Sequence, residues 1–267
     1  MNFKYIDIHS HLNLSPLLEE EKSVVSDMRE KSVVTITIGT GLVSSKLALD
    51  ISERHSDVCI GASIGMHPTD TKEPFDYEKF LELAQNPKTL AIGECGLDYF
   101  RNQDEEMKKI QKEIFKKHID IAKTVNKPLM IHARPSKGSM DAYEDVLDIL
   151  EETNLSLDNK IRANFHFFVG NKDIAERAQK SGFTMSFDGP ITFSGDYDEV
   201  IEFLPIESIM TETDAPYAAP APYRGKTCMP WMVEEVYKSI ARIKGLDEEF
   251  VRNTLNENAK RFFDIKA

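Results

Sequence analysis

Short apolar runs alternate along the chain with longer segments in which apolar positions recur at helical spacing. The runs are rich in Ile, Val, Phe and Thr, and several end near Gly or Pro, which is typical of buried strands. They predict eight strands: Tyr5–His11, Val33–Gly39, Val58–Met66, Thr89–Gly96, Pro128–Ala133, Arg162–Phe168, Phe183–Phe187 and Ile209–Thr213.

The segments between these runs have the periodicity of helices that lie on a sheet. The predicted helices are Pro16–Lys31, Ser44–His55, Tyr77–Gln85, Asp104–Val125, Asp141–Asn154 and Lys172–Gly182. After the eighth strand the pattern is helical only, and it predicts three further helices: Trp231–Gly245, Asp247–Leu255 and Glu257–Phe263.

Strands that alternate with helices predict parallel βαβ units. A chain of 267 residues fits an α/β fold of the (β/α)8 TIM-barrel type with additional C-terminal helices, and we expect residues 1–267 to form one domain. A doubly wound open sheet is the alternative. The first strand is not followed by a Gly-rich phosphate fingerprint, which weighs against a dinucleotide-binding fold.

The composition indicates the class of protein, the redox state of its cysteines and its relation to membranes. Hydrophobic residues make up 41% and charged residues 29%, as in ordinary globular proteins. The three cysteines, Cys59, Cys95 and Cys228, have no CxxC spacing and predict buried thiols in a reducing cytoplasm. The chain shows neither a signal peptide nor an apolar run of about 18 residues, so no membrane association is expected.

The net charge is −12. An acidic protein does not coat nucleic acid or an anionic membrane through its bulk charge. A local basic cleft remains compatible with this composition.

The first strand carries two histidines at its end. Strand alternation predicts that Asp7, His9 and His11 share one face and that Ile6 and Ile8 share the other. In a barrel the histidine face would line the interior and the isoleucine face would meet the helices. Two imidazoles about 7 Å apart at Cα can converge on one cation. The alternative is a pair of surface histidines after a short strand.

Further chemically active residues lie at other strand ends. Glu94 interrupts an apolar strand, and a buried carboxylate there requires a partner such as a cation, whereas a Glu just past the strand would be hydrated. Gly93 and Gly96 would allow close backbone approach. The remaining strand-end residues of this kind are His132, His166 and Asp214. All of these positions map to the barrel end that holds active sites, and their N and O donors suit one or two divalent ions.

The remaining histidines are interpreted from the predicted strand or helix in which each one lies. His67 closes the third strand at the same end, and we interpret it either as substrate-facing or as an ordinary loop residue. His55 and His118 fall within helical stretches, which predicts solvated helix faces for both rings.

A set of motifs runs in order from Asp7 to Phe263. They are Asp7-x-His9-x-His11, Gly65-x-His67-Pro68, Gly93-Glu94-x-Gly96-Leu97-Asp98-Tyr99, Gln111 before Phe115, Pro128-x-x-x-His132-x-Arg134, His166-x-Phe168, Thr213-Asp214-x-Pro216-Tyr217, Arg224-Gly225-Lys226 and Asn258-Ala259. In this order and spacing they resemble the TatD family of metal-dependent deoxyribonucleases, within the amidohydrolase-like TIM barrels.

The resemblance implies a site with two divalent metal ions, Mg, Mn or Zn. One ion would be held by His9, His11, Glu94 and Asp214, and the other by Glu94, His132 and His166. Asp214 would also receive the proton of the attacking water.

The family is credited with magnesium-dependent cleavage of DNA, including removal of nucleotides from 3′ ends. We therefore expect hydrolysis of phosphodiester bonds in DNA ends or short single strands, without an obligate protein partner.

Residues near the same opening are candidates for substrate contact. Arg134 and Lys226 could contact phosphate, with Arg224 close by, although Lys226 could equally be a solvated loop charge. The aromatic candidates for base stacking are Tyr99, Phe100 and Tyr217, for which core or rim packing is the alternative.

Three positions depart from the family pattern: Pro135, Phe167 and Cys228. None is an expected ligand, and Pro135 and Cys228 bear on substrate preference.

Two other functions stay open. One is hydrolysis of small amides, esters or lactones, although many such barrels bridge their metals with a modified lysine where this chain has Glu94. The other is a metal-binding scaffold without turnover, against which the complete ligand set argues.

Overall fold

The eight predicted strands form one parallel sheet in chain order. The computed structural model describes residues 3–71, 74–155 and 160–265. The strands are β1 Tyr5–Ser10, β2 Val33–Ile38, β3 Cys59–Ile64, β4 Thr89–Asp98, β5 Leu129–Arg134, β6 Ala163–Phe165, β7 Thr184–Phe187 and β8 Ile209–Thr211. Each strand therefore lies where an apolar run predicts it, within a few residues at either end.

The sheet curls until its two edges meet just beyond β8. The backbone N–H of Asp214 donates to the His9 carbonyl at 2.9 Å, and that of His11 donates to the Ala215 carbonyl at 2.7 Å. The sheet is thus nearly closed into the predicted barrel with surrounding helices, and the open-sheet alternative is wrong.

Helices follow the strands as the periodicity predicts. They are α1 Glu21–Lys31, α2 Leu42–Arg54, α3 Tyr77–Ala84, α4 Glu105–Val125, α5 Asp141–Leu155, α6 Lys172–Lys180, α7 Asp198–Phe203, α8 Val233–Lys244 and α9 Glu248–Phe262. The short α7 was not predicted and lies in the connection between β7 and β8. None of the described helices is long and apolar enough to span a membrane.

The predicted break between the last two helices does not occur, since α9 continues through Asn256. The Asn256 side chain accepts a hydrogen bond from the Tyr237 hydroxyl at 2.7 Å and donates to the Lys4 carbonyl at 3.0 Å. Its amide is therefore engaged by other parts of the fold instead of competing for the backbone of its own helix.

An apolar cluster fills the N-terminal half of the barrel. It draws residues from β1 to β5, from β8 and from the end of α9: Ile6, Ile8, Val34, Ile36, Ile38, Ile60, Ala91, Met130, Met210, Ala259, Phe262 and Phe263. Because β1 and β5 lie on opposite sides of an eight-stranded ring, this cluster lies inside it. The prediction that Ile6 and Ile8 face the helices is wrong.

Asp7 also departs from its predicted face. The pairing of β1 with β2 is irregular between Asp7 and Ser10, and such a bulge reverses the alternation of side chains. The Asp7 carboxylate accepts hydrogen bonds from the Thr213 hydroxyl and the Thr35 hydroxyl, at 2.8 and 3.3 Å. It supports the closing edge of the barrel and does not join the histidines.

The two helical histidines are not on solvated faces. His118 is fully buried on α4, where Nδ1 donates to the Ile114 carbonyl at 2.9 Å and Nε2 accepts from the Met66 N–H at 3.0 Å. His55 follows α2 and is half-buried, with Nε2 2.8 Å from a Glu21 carboxylate oxygen.

Acid destabilisation of this fold should depend on His118. Burial lowers the pKa of His118 from 6.5 to about 4, so on acidification the unfolded chain takes up a proton before the folded protein does. Stability that is complete above about pH 6.5 is lost as the pH falls towards 4, by up to about 3 kcal/mol.

The measurement is urea unfolding between pH 7 and pH 4.5, in which His118→Gln should flatten the fall in the free energy of unfolding. The same pH dependence in the variant and the parent would contradict this assignment.

Candidate metal centre

All six predicted ligand residues meet at the C-terminal end of the barrel. Five histidine rings surround the Glu94 carboxylate. Four of them are predicted ligands, and the fifth is His67: His9, His11, His67, His132 and His166. Asp214 completes the group from the segment after β8. The side chains come from β1, β4, β5 and the segments that follow β1, β3, β6 and β8, so the closed barrel is what brings them together.

The two oxygens of Glu94 face different sets of rings. Oε1 is 3.0 Å from His132 Nδ1 and 3.0 Å from His166 Nε2. Oε2 faces the other way and lies 3.6 Å from His9 Nε2 and 3.9 Å from His11 Nε2. A carboxylate placed between two sets of nitrogen donors has the geometry to serve two cations at once.

Asp214 stands on the Oε2 side of Glu94. Its Oδ1 is 3.3 Å from His11 Nε2 and 3.7 Å from His9 Nε2. Asp214 has a φ of 54°, a left-handed conformation that Asp and Asn adopt more readily than most residues.

Two glycines let β4 approach β5 closely enough for this arrangement. Gly93 has a φ of 146° and Gly96 a φ of 135°. A Cβ on Gly93 would lie 2.2 Å from the Met130 carbonyl oxygen, and one on Gly96 would lie 2.1 Å from the His132 carbonyl oxygen. Both positions require glycine, and the expected close approach beside Glu94 is confirmed.

The ring of His9 fits a metal ligand better than any partner in the protein. Its side chain is fully buried, and among the described residues neither ring nitrogen has a hydrogen-bond partner. The ring stacks on His166 at a centroid distance of 3.9 Å. Buried polar atoms are almost always paired, so these orphaned nitrogens favour a cation between Glu94 and Asp214.

His11 is oriented for the same purpose. Its Nδ1 lies 3.1 Å from the Ile38 carbonyl, to which it donates. The lone pair of Nε2 then points towards Asp214 and Glu94, as in metal-binding histidines whose other nitrogen is held by a carbonyl.

His67 has the opposite tautomer. Its Nδ1 accepts a hydrogen bond from the Thr69 N–H at 3.2 Å, so the neutral ring carries its proton on Nε2. That N–H points to Glu94 Oε1 at 3.3 Å. His67 is near enough to form a three-donor group with Glu94 and His132, but in this tautomer it is a hydrogen-bond donor at the cavity wall.

Glu212 is a functional residue that the strand-end pattern missed. It is fully buried and accepts hydrogen bonds from the Ser186 hydroxyl at 2.6 Å and the Phe167 N–H at 2.5 Å. It also lies 3.2 Å from His166 Nδ1 and so orients that ring. Its position two residues before Asp214 is the signal that could have identified it.

Asp98 plays the same part for His132. Its carboxylate lies 3.1 Å from His132 Nε2 and accepts a hydrogen bond from the Arg101 N–H at 2.8 Å. Asp98 is four residues after Glu94 on β4, so strand alternation places both on the inner face.

The titration of these groups reflects their mutual contact. Burial would raise the pKa of Glu94, but His67, His166 and His132 hold it well below its usual range. Burial would lower the pKa of His166, but the carboxylates of Glu94 and Glu212 raise it well above its usual range. A divalent ion would take the place of such ring protons, so metal affinity should fall at low pH.

A cavity of about 760 Å³ opens above Glu94. Its wall includes Arg134 and His67, two of the residues predicted to contact substrate, together with Arg101, Tyr197 and Tyr217. Tyr217 is 55% exposed, so its ring is available at the rim. Arg101 and Tyr197 were not singled out from the sequence.

The other predicted substrate residues lie away from this wall. Within the described residues, neither Arg224 nor Lys226 lines the cavity. The Arg224 guanidinium stacks on Phe193, 3.9 Å from the ring centre. Lys226 Nζ lies 6.0 Å from the ring centre of Tyr223.

Tyr99 packs in the core, which corrects its assignment as a substrate contact. It is 1% exposed, and its hydroxyl donates to Asp145 Oδ2 at 2.7 Å. Alternation along β4 puts Cys95, Leu97 and Tyr99 on the helix side. Phe100, the next residue, is 46% exposed and carries the Arg134 guanidinium 4.3 Å from its ring centre.

Comparison with known sequences gives a consistent family. A profile of the family described as TatD related DNase matches residues 6–264. The uncharacterized metal-dependent hydrolase YabD of Bacillus subtilis is 36% identical over 97% of this chain and 98% of its own length. The uncharacterized metal-dependent hydrolase YcfH of Escherichia coli is 30% identical over 98% of this chain and 96% of its own length.

Solved structures share the fold. YJJV, a TatD homolog from Escherichia coli, has a TM-score of 0.88 at 22% identity and covers 100% of both chains. A TatD family hydrolase from Entamoeba histolytica has a TM-score of 0.83 at 21% identity, covering 98% of this chain and 99% of its own.

Glu94→Gln should impair metal binding more than any single histidine change. The variant keeps the shape of the side chain but removes the charge that both sets of rings face, so we expect Mn²⁺ affinity to fall by about tenfold or more. The measurement is metal content by elemental analysis after Mn²⁺ loading and dialysis.

Glu151→Gln is a matched control, because that carboxylate pairs with Arg177 outside the cavity. Metal content equal to the parent in Glu94→Gln would rule out Glu94 as a shared ligand.

Proposed function

Because this chain belongs to the TatD related DNase family and is a metal-dependent hydrolase of that family, we propose that it hydrolyses phosphodiester bonds in DNA. Its substrates would be strand ends or short single strands. One observation carries the proposal. Glu94, which is shared between two sets of imidazoles, and Arg134 both lie in the wall of one cavity.

The proposed site holds two divalent ions, Mg²⁺, Mn²⁺ or Zn²⁺. His9, His11, Glu94 and Asp214 would hold one, and Glu94, His132 and His166 the other. Bound ions of this kind supply Lewis acidity to a phosphate oxygen and to the attacking water.

Asp214 is the residue we propose as the base. Its side chain keeps 14% exposure, against 5% for Glu94, so its carboxylate can reach a water in the cavity. It would hold the proton of that water during attack and could return it to the leaving oxygen.

Arg134 and His67 would hold the phosphate. The Arg134 guanidinium offers two parallel N–H donors, and it lies over the Phe100 ring, 4.3 Å from the ring centre. The Nε2–H of His67, which donates to Glu94 Oε1 at 3.3 Å, would be free to donate to a phosphate oxygen when that carboxylate oxygen is engaged by a cation.

The size of the cavity and the charge of the protein favour a small portion of a nucleic acid. A volume of about 760 Å³ is in the range of pockets that enclose small ligands. The net charge of −12 disfavours extended contact with a long duplex. Both features support engagement of a strand end with weak affinity.

Asp214→Asn should lower the rate of DNA cleavage by two or more orders of magnitude, as expected for loss of a general base. Asn adopts the left-handed conformation of this position, so the variant should fold. The assay uses end-labelled single-stranded DNA with Mg²⁺, Mn²⁺ or Zn²⁺, beside RNA, a simple phosphodiester and a neutral ester.

A rate in Asp214→Asn close to that of the parent would remove this residue from the mechanism. Cleavage of the ester alone by the parent would favour a hydrolase of small esters, amides or lactones. Unchanged cleavage of DNA after exhaustive chelation would contradict metal dependence.

Arg134→Ala should raise KM for a phosphodiester by about tenfold or more, since a charge-assisted pair to phosphate is lost, and should change KM for the neutral ester much less. Arg224→Ala is the matched control, because Arg224 also stacks on an aromatic ring but lies outside the cavity wall. Equal losses on both substrates would assign Arg134 a structural role.

A further inference from the structure

Helix α4 presents two buried polar side chains to the barrel. Gln111 and His118 are seven residues apart, or about two helical turns, so they lie on the same face. The rest of that face is apolar and packs in the core, with Ile114, Phe115 and Ile119. Polar groups in such a setting are retained only with good hydrogen-bond partners.

Gln111 holds the end of β4 at two points. Its Oε1 accepts from the Asp98 N–H at 2.9 Å, and its Nε2 donates to the Asp98 carbonyl at 3.2 Å. Asp98 is the last residue of β4, and its carboxylate lies 3.1 Å from His132 Nε2. The helix therefore fixes the backbone that orients His132.

His118 holds the segment after β3 in the same manner. Its Nε2 accepts from the Met66 N–H at 3.0 Å, while its ring contacts Phe75 at a centroid distance of 4.7 Å. Met66 directly precedes His67, and the backbone N–H of His67 donates to the Thr40 carbonyl at 2.9 Å. The ring of His67 then reaches Glu94 Oε1.

Both contacts lead to the same oxygen atom. His67 and His132 lie 3.3 and 3.0 Å from Glu94 Oε1. His118 holds the backbone just before His67, and Gln111 holds the backbone of the Asp98 whose carboxylate orients His132. The Oε2 side has a different anchor, since His11 is held by the Ile38 carbonyl and Asp214 by the His9 carbonyl.

We propose that His118 and Gln111 are positioning residues that set the Glu94 Oε1 half of the centre through Met66–His67 and Asp98–His132. The proposal rests on the proposed function for the two ions at Glu94, but it does not require DNA as the substrate. A purely structural role would instead hold α4 against the barrel without affecting metal binding.

The test uses His118→Leu and Gln111→Met in the full chain. Calorimetric titration of the metal-free protein with Mn²⁺ should show one of two binding steps weakened by about tenfold or more, with the other step unchanged. In the same metal-free variants, the ¹⁵N signals of the His67 and His132 rings should shift, whereas those of His9 and His11 should not.

Asn258→Leu is the matched control. Asn258 is a buried amide on α9 that donates to the Ile206 and Ile209 carbonyls at 2.7 and 2.9 Å, at the opposite end of the barrel. Its loss should lower Tm while leaving both Mn²⁺ steps and all ring signals unchanged. His118→Gln keeps an acceptor for the Met66 N–H and should restore both Mn²⁺ steps.

A lower Tm in His118→Leu and Gln111→Met, with Mn²⁺ binding and ring signals like those of Asn258→Leu, would overturn the proposal. If His118→Leu does not fold, Gln111→Met carries the same test through Asp98. Absence of DNA cleavage by the parent would contradict the proposed function only, because these measurements use no substrate.

Discussion

The burial of the Glu94 carboxylate is the constraint on which the rest of the site depends. A charged carboxylate that is 5% exposed is too costly without cationic or hydrogen-bonding partners on every side. Five imidazoles provide them, and they can meet only because the strands close into a ring. The close contact of β4 with β5, for which Gly93 and Gly96 are required, brings Glu94 to the centre of that ring.

The barrel is divided between stability and chemistry along its axis. The N-terminal half holds the apolar cluster that includes Ile6, Ile8 and Met130 and ends against Phe262 of α9. Polar side chains border this cluster in β6 and β7, where Asn164 is in register with Met130 and Ser186 with Met210. Asn164 donates to the Ser186 hydroxyl at 2.7 Å, and Ser186 donates to Glu212 at 2.6 Å. Glu212 in turn lies 3.2 Å from His166 Nδ1, so a buried hydrogen-bond chain that borders the apolar cluster orients one of the rings at Glu94.

Sequence reasoning located the strands and the ligand candidates because both depend on local signals, namely apolar runs and the polar residue at each end. It failed where register or packing decides. A bulge in β1 reverses the face of Asp7, and the extension of β4 to Asp98 keeps Tyr99 on the helix side. His118 was assigned to solvent, although its spacing from Ile114 and Ile121 matches the buried face of α4. Glu212 has no signal of its own beyond alternation with Asp214, and Asp98 was named only as a position of the Gly93–Tyr99 motif, without a role.

The acidity of the protein is compatible with the proposed anionic substrate, because the carboxylates on the outer helices and the charged groups at the cavity have different partners. Many carboxylates on the outer helices are paired with neighbouring Lys or Arg, as Glu151 and Asp148 are with Arg177. At the mouth, Arg134 stacks on Phe100, and Arg101 lies 3.8 Å from the buried Asp98. Divalent ions beside Glu94 would add positive charge where the cavity is deepest. For the proposed phosphodiester substrate, attraction would then be confined to the cavity, and affinity would come from the few groups that touch its phosphate.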